Sequence, residues 1–234
     1  MRLSIIIFDG LTTLDAIGGY EVLSRLPGME TEFVARERGV VAADTRRLGL
    51  AAWRDFSEVK STDILYVPGG PGAFPLEKDE AFLDIIRTLD ATSAWTIGIC
   101  NGVGLLAAAG LLKGRKATTN WFYQDRLRAY GAEFVAERYH RDGKYVTGAG
   151  VSASIDTGLF MASLLVGEQV AKTLQLGIEY YPAPPFPERS PLEVAPKIQE
   201  RIRRFESTGA AAQMKLKPPF GDTFVAASAA VPAG

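Results

Sequence analysis

The chain has 234 residues, and its 26 basic and 27 acidic side chains leave a formal net charge of −1. This length is enough for one large domain, which we favour over two small ones, and the balanced charge without a Lys/Arg-rich run argues against nucleic acid or a membrane surface as a partner. One cysteine, Cys100, excludes an internal disulfide, and no apolar stretch reaches the roughly 18 residues that span a bilayer.

The amino-terminal half alternates strand and helix signals. Leu3 to Phe8 is an apolar run typical of a strand buried on both faces, and it stops too soon, at Asp9, to be a signal peptide. We therefore expect a cytoplasmic protein. A helix follows and ends at Pro27-Gly28. Further strands are predicted over 32–36 and 63–67 and a helix over 80–90, with an extended excursion over 38–56.

The carboxyl-terminal half continues the alternation. The pattern predicts strands over 94–99, 134–136 and 145–147, and helices over 102–112, 120–130, 154–165, 168–180 and 192–205. Asp142-Gly143 predicts a hairpin turn, and the prolines between 182 and 187 interrupt regular structure. The last 25 or so residues show mixed signals.

Alternating helices and apolar strands indicate an α/β protein with a mostly parallel sheet covered on both faces. Ligands of such sheets bind beyond the carboxyl ends of the strands. Three segments, 9–15, 69–73 and 100–104, are predicted to lie at such ends. We therefore expect the functional site where these segments meet.

Cys100 follows an apolar strand and precedes a helix, in the pattern Gly98-Ile-Cys100-Asn-Gly102. A nucleophile on a sharp strand-to-helix turn is accessible, and the helix N-terminus favours its thiolate; flanking glycines allow the tight turn. The alternative is that Cys100 is a small buried hydrophobic residue, as free cysteines commonly are.

Asp15 is the best candidate for a proton-transfer partner, because it lies just after the first strand. A partly desolvated carboxyl group beside a thiolate has a raised pKa and can give up a proton. The alternative is that Asp15 only caps the following helix. His140, the only histidine, lies beside the predicted hairpin turn at an exposed edge, which argues against a Cys-His dyad.

The Gly-rich loop PGGPGA, residues 68–73, is a candidate for stabilising negative charge. Its backbone at Gly70 and the N–H of Asn101 after the turn are predicted to face a developing anion. An ordinary glycine-rich turn is the alternative.

These motifs resemble the ThiJ/PfpI superfamily over roughly residues 3–187. Within it, the sequence is most similar to the isocyanide hydratases, on the phrases LDAIGGYEVL, the PGG loop, AAGLLKGRKATT-x-W, the hairpin leading to TG-x-G, SASID and QLGIEYYPAPPF. The last phrase, together with Asp15 where many relatives have glutamate, is the most specific part of the match.

The resemblance implies a flavodoxin-like three-layer sandwich and a homodimer that acts on a small molecule without a cofactor or metal. Cys100 would attack an isocyanide carbon to give a thioimidate, Asp15 would handle the proton, and water would release an N-substituted formamide. Residues 1–187 would form the domain, and 188–234 a helical extension and tail. The implied pocket residues are Ile17, Gly18, Gly69, Asn120, Trp121, Val151 and Ser152.

Two positions depart from the resemblance. Asn101 stands where the hydratases have threonine, and Asn120 replaces the histidine that usually precedes Trp121. Peptidase-like, glyoxalase-like and deglycase-like members use that histidine. Its absence argues against our third hypothesis, which is glyoxalase or deglycase activity. The second hypothesis is a thiol sensor or regulatory binding protein whose cysteine oxidises without turning over substrate.

Overall fold

A seven-stranded sheet forms the centre of the computed structural model, which describes residues 1–220. Continuous apolar runs form its inner strands, and all four residues of β6 are buried. The strands are β1 (Arg2–Ile6), β2 (Glu30–Ala35), β3 (Gly39–Ala42), β4 (Gly49–Ala52), β5 (Arg54–Asp55), β6 (Ile64–Val67), β7 (Trp95–Ile99), β8 (Lys116–Ala117), β9 (Glu133–Phe134), β10 (Tyr139–Asp142) and β11 (Tyr145–Gly148).

The strand order in the sheet is β10-β11-β7-β6-β1-β2-β5, and every neighbouring pair is parallel except β10 with β11. Val67 pairs with Gly98, and Gly98 pairs with Thr147. The carboxyl ends of β6, β7 and β11 therefore lie side by side. This arrangement brings the segments after these strands to one edge of the sheet, as expected for a parallel sheet.

Helices flank the sheet and complete the flavodoxin-like three-layer sandwich. Helix α1 packs against α6, and α3 packs against α4. The helices are α1 (Thr13–Leu23), α2 (Ala73–Leu76), α3 (Glu80–Thr92), α4 (Gly102–Ala108), α5 (Gln124–Ala129), α6 (Ala153–Val166), α7 (Glu168–Gly177), α8 (Pro196–Arg204) and α9 (Ala210–Gln213), with a 3₁₀ turn at Pro191–Glu193 and a π turn at Phe205–Gly209. Among residues 1–220, we find no helix long and apolar enough to cross a membrane.

The fold class predicted from the sequence is confirmed, and the differences concern short elements. The hairpin at Asp142-Gly143 joins β10 and β11 as predicted. The stretch over 38–56, predicted as an extended excursion, forms the antiparallel pair β3–β4 and the short strand β5. Helix α4 ends at Ala108, because the chain turns at Gly110 with a φ of 84°.

The carboxyl-terminal part of the described chain packs onto the sandwich. We call residues 196–216 the C-terminal strap. The strap is fixed by the Arg203 guanidinium, 4.5 Å from the ring centre of Trp121, and by Arg46 Nε, which donates to the carbonyl of Leu216 at 3.1 Å. The domain boundary at residue 187 stays a prediction, and the tail from residue 221 lies outside the described residues.

Candidate active site

Cys100 occupies the turn between β7 and α4. Its φ of 56° lies in the left-handed region, which non-glycine residues adopt at a cost of about 1 kcal/mol or more. Two hydrogen bonds fix this conformation: the Cys100 N–H donates to Gly148 O at 2.9 Å, and Thr119 Oγ1 donates to Cys100 O at 2.7 Å. The predicted elbow is therefore present.

Asp15 lies in the first turn of α1 and is fully buried. Its Oδ2 accepts the Gly69 N–H at 3.0 Å, and the Tyr66 hydroxyl donates to its main-chain carbonyl at 2.6 Å. The residue at the N-cap position is Thr12, whose hydroxyl donates instead to Asp44 Oδ2 at 2.7 Å. The interpretation of Asp15 as a helix cap is therefore wrong.

The two side chains of the pair influence each other's ionisation. Burial raises the pKa of Asp15 to about 8, against the opposing effects of the Gly69 hydrogen bond and of the nearby Cys100 side chain. Burial, reinforced by the nearby Asp15 carboxyl, raises the pKa of the Cys100 thiol well above its ordinary range, although the Asn101 N–H and Asn120 act in the opposite direction. Burial and the Asp15 carboxyl therefore oppose the thiolate that the helix N-terminus favours.

One oxygen of the Asp15 carboxyl group has no hydrogen-bond partner among the described residues. Its Oδ1 is buried and makes no hydrogen bond of ordinary geometry with any described residue. A protonated carboxyl group has one oxygen that donates, and the Gly69 N–H already occupies Oδ2 as an acceptor. This arrangement favours Oδ1 as the oxygen that carries the acidic proton.

Asn101 pairs with the glycine-rich loop through both atoms of its side-chain amide. Its Oδ1 accepts the Gly70 N–H at 2.6 Å, and its Nδ2 donates to the Gly70 carbonyl at 2.8 Å. The prediction that Gly70 presents a free N–H to an anion is therefore wrong, because that donor is already bound. The Asn101 N–H does interact with the Cys100 sulfur, where it lowers the thiol pKa.

Replacing Asn101 with alanine should destabilise the protein by about 2 to 4 kcal/mol, because two buried backbone groups of Gly70 lose their partner. Urea denaturation measures the loss. Gln169→Ala, on the exposed surface of α7, is the matched control and should stay within about 0.5 kcal/mol of wild type. Equal stability of the two variants would contradict the role given to Asn101.

A cavity of about 180 Å³ opens beside the Cys100 sulfur. Asn120 Nδ2 lies 3.6 Å from Sγ, whereas Asn120 Oδ1 is buried without a hydrogen-bond partner among the described residues. Five of the residues predicted for the site line this cavity: Gly70, Cys100, Asn101, Asn120 and Val151. The other lining residues are Thr12, Asp44, Pro71, Phe122, Tyr123, Phe205, Glu206, Ala210 and Gln213.

The other residues predicted to line the pocket do not line this cavity, namely Ile17, Gly18, Gly69, Trp121 and Ser152. A Cβ atom on Gly18 would lie 2.1 Å from Ser154 Oγ, so this glycine allows α1 to approach α6. The Gly69 N–H donates to Asp15 Oδ2, and the Trp121 ring packs against the Arg203 guanidinium. Ser152 Oγ accepts a hydrogen bond from Arg138 at 2.9 Å. The place of these residues in the substrate pocket stays a prediction.

Sequence reasoning missed the contribution of the C-terminal strap. Phe205, Glu206, Ala210 and Gln213 close one side of the cavity, and the Tyr123 hydroxyl donates to Glu206 Oε2 at 3.0 Å. The predicted charged helix ended at residue 205, and nothing in its spacing indicated where it would pack. The pairing of Glu206 with an aromatic residue some 80 positions earlier leaves no local signal.

His140 lies on the edge strand β10, where its Nδ1 is 2.7 Å from Glu137 Oε2. Among residues 1–220, no three His, Cys, Asp or Glu side chains are grouped so that they could hold a metal ion. The residues that meet at the Cys100 cavity are therefore a thiol, carboxyl groups and amides. This set suits nucleophilic attack coupled to proton transfer.

Comparison with known proteins identifies the family of this chain. The sequence profile of the DJ-1/PfpI family matches residues 1–164. The chain belongs to the DJ-1/PfpI family. The ThiJ/PfpI resemblance predicted from the motifs is thus confirmed.

Individual relatives narrow the comparison. The isonitrile hydratase of Pseudomonas putida is 37% identical over 217 residues, which are 93% of this chain and 93% of that protein. The deglycase PfpI of Pyrococcus furiosus is 30% identical over only 51% of this chain and 73% of its own length. A crystal structure of a ThiJ/PfpI family protein from Pseudomonas syringae superposes with a TM-score of 0.82 at 30% identity, covering 92% of this chain and 90% of that one.

Proposed function

We propose that this protein is an isocyanide hydratase, which converts an isocyanide and water into an N-substituted formamide. The observation that carries the proposal is the pairing of the elbow thiol of Cys100 with a buried carboxyl group, Asp15, whose pKa is raised to about 8. The similarity to the P. putida hydratase over nearly the whole chain supports the same activity.

In the first step, the Cys100 sulfur forms a bond to the terminal carbon of the isocyanide. That carbon must also gain a proton, and Asp15 Oδ1, which has no other hydrogen-bond partner of ordinary geometry, delivers it. The thiol proton replaces the one that the carboxyl group has given up. The product is a thioimidate, R–N=CH–S, attached to Cys100, and neither reacting side chain is left with a charge.

In the second step, water adds to the thioimidate. Its oxygen bonds to the carbon and one of its protons goes to nitrogen, which gives a tetrahedral intermediate. The C–S bond then breaks, the remaining hydroxyl proton passes to sulfur through Asp15, and R–NH–CHO leaves. Both side chains return to their starting protonation states. The raised pKa of Asp15, about 8, suits this cycle, because its carboxyl group must hold and return a proton near neutral pH.

The two other hypotheses have less support. The thiol-sensor hypothesis draws less support than the hydratase, whose P. putida relative matches 93% of this chain. For a deglycase, the relatives cover a smaller part of the chain, and Asn120 stands in place of the histidine that the resemblance led us to expect. The proposal also includes a homodimer in the cytoplasm, as the resemblance implies.

The proposal is tested by incubating the purified protein with tert-butyl isocyanide in water enriched in oxygen-18. We expect N-tert-butylformamide that carries the heavy oxygen, at a rate far above that of heat-denatured protein. Mass spectrometry of the product measures both the yield and the label. Absence of formamide, or formamide that lacks the label, would contradict the proposed reaction.

A further inference from the structure

We propose that the Cys100 cavity selects isocyanides without negative charge and rejects those that carry a carboxylate, because Glu206 and Asp44 supply two acidic side chains to its wall. This inference rests on the proposed function, since it names the class of isocyanide accepted. Neither residue lies near Cys100 in the sequence: Asp44 lies in the turn between β3 and β4, and Glu206 on the C-terminal strap.

The charged side chains around the cavity all have one sign. Of the described residues that line it, Asp44 and Glu206 are acidic and none is Lys, Arg or His. Arg126 and Arg203 line a larger, adjoining groove of about 660 Å³, which shares Tyr123 and Glu206 with the cavity. Arg126 is also paired there with the buried carboxylate of Glu77 at 2.5 Å. A carboxylate that entered the small cavity would find no basic partner among these lining residues.

Glu206 is held in a defined position. The Tyr123 hydroxyl donates to its Oε2, and burial raises the pKa of Tyr123 above its ordinary range, so the tyrosine keeps its proton and remains the donor. That hydrogen bond lowers the pKa of Glu206, against the larger, opposite effect of burial. Glu206 also interacts electrostatically with the Cys100 sulfur, because its negative charge contributes to the raised pKa of the thiol.

Asp44 is also held by hydrogen bonds in the wall of the cavity. It accepts the Thr12 hydroxyl at Oδ2 and the Thr45 N–H at Oδ1, both at 2.7 Å. Asp44 and Glu206 are close enough for each to act on the other, since Asp44 raises the pKa of Glu206. An anionic substrate would add a third negative charge to a partly enclosed space, where screening by salt is weaker than on the surface.

Size restricts the substrate further. A cavity of about 180 Å³ is smaller than the roughly 300 to 1,000 Å³ of sites for drug-sized ligands. The substrates are therefore small alkyl isocyanides, neutral or bearing an amino group, and isocyanoacetate is excluded by its charge rather than its size.

Alkylation of the single cysteine tests the charge of the cavity without requiring catalysis. Iodoacetamide and iodoacetate have nearly the same size but differ by one negative charge, and whole-protein mass spectrometry reports on Cys100 alone. The ratio of the two rates, divided by the same ratio for N-acetylcysteine amide, measures charge selection. Changes in the thiolate population cancel, because they affect both reagents equally.

We expect the normalised ratio for wild type to favour iodoacetamide by about tenfold at low salt. Glu206→Gln keeps the shape and the acceptor for Tyr123, and should reduce this preference by about threefold or more. Asp44→Asn should reduce the preference for iodoacetamide to the same extent. Its result is used in place of that of Glu206→Gln if the glutamine displaces the strap. Glu200→Gln is the matched control on the same strap, where its exposed side chain pairs with Arg204, and it should leave the ratio unchanged.

A wild-type ratio equal to that of N-acetylcysteine amide, or a ratio that neither carboxyl variant changes, would overturn the inference. Formamide assays with ethyl isocyanide and isocyanoacetate then separate it from the proposed function. Charge-dependent alkylation without formamide supports charge selection and overturns the hydratase proposal. Equal hydration of both isocyanides overturns charge selection and supports the hydratase proposal.

Discussion

Asp15→Asn should lower the rate of formamide formation by about 10² to 10⁴, because the amide cannot deliver a proton to the isocyanide carbon. The shape of the side chain is kept, and the amide oxygen still accepts the Gly69 N–H at the position of Oδ2. Product formation at saturating isocyanide measures the loss. Asp125→Asn, at a largely exposed side chain of α5, is the matched control and should retain wild-type activity.

Asp15→Asn should become more stable relative to wild type as the pH rises. The pKa of Asp15 is about 8 in the folded protein and about 4 in the unfolded chain, so the folded state holds an extra proton between these values. The contribution of the neutral carboxyl is therefore complete below about pH 4 and is lost as the pH rises towards 8. The uncharged asparagine avoids this loss.

The expected gain of Asp15→Asn over wild type between pH 4 and 9 is as much as about 5 kcal/mol. Urea unfolding at several pH values measures the difference, and for Asp125→Asn it should stay within about 0.5 kcal/mol. A difference between Asp15→Asn and wild type that does not change with pH would show that Asp15 is ionised at little cost in the folded protein.

The parallel sheet could be predicted from the sequence because its strands are buried on both faces. Segments such as Ile64–Val67 and Trp95–Ile99 consist almost entirely of apolar residues, so strand and burial have the same signature. The short elements were harder. The helix predicted over 120–130 begins only at Gln124, and before it Phe122 and Tyr123 pack against each other.

At the site, backbone position was easier to predict than side-chain contact. Glycines on both sides of Cys100 indicated the elbow, and the position of Asp15 after β1 placed it at the same edge of the sheet. The bond from Asn101 to Gly70 could not be foreseen, because it joins a side chain to a loop more than 30 residues earlier. Such a contact depends on the packed sandwich and has no periodic signature.

The protonation state of Cys100 shows the same difficulty. A helix N-terminus lowers a thiol pKa, and the sequence reveals that helix. The opposing effects, burial and the carboxyl group of Asp15, depend on how completely the strap and the glycine-rich loop exclude water. Those contacts come from residues more than 80 positions apart, such as Tyr123 with Glu206.

Cys100→Gly should abolish formamide formation while the protein remains folded. The φ of 56° at this position strains cysteine but suits glycine, so the variant should unfold at a temperature equal to or above that of Cys100→Ala, which keeps the strained Cβ. Thermal unfolding of both variants checks this order. Isocyanide hydration by either variant at the wild-type rate would exclude Cys100 as the nucleophile.

The covalent intermediate is the most direct test of the account. Acid quenching during turnover with tert-butyl isocyanide, followed by whole-protein and peptide mass spectrometry, should reveal an adduct whose added mass equals one isocyanide. We predict that the adduct lies on Cys100, forms and decays as fast as formamide appears, and is absent from Cys100→Gly. Formamide production without any adduct at Cys100, at a rate that Cys100→Gly does not reduce, would contradict the account.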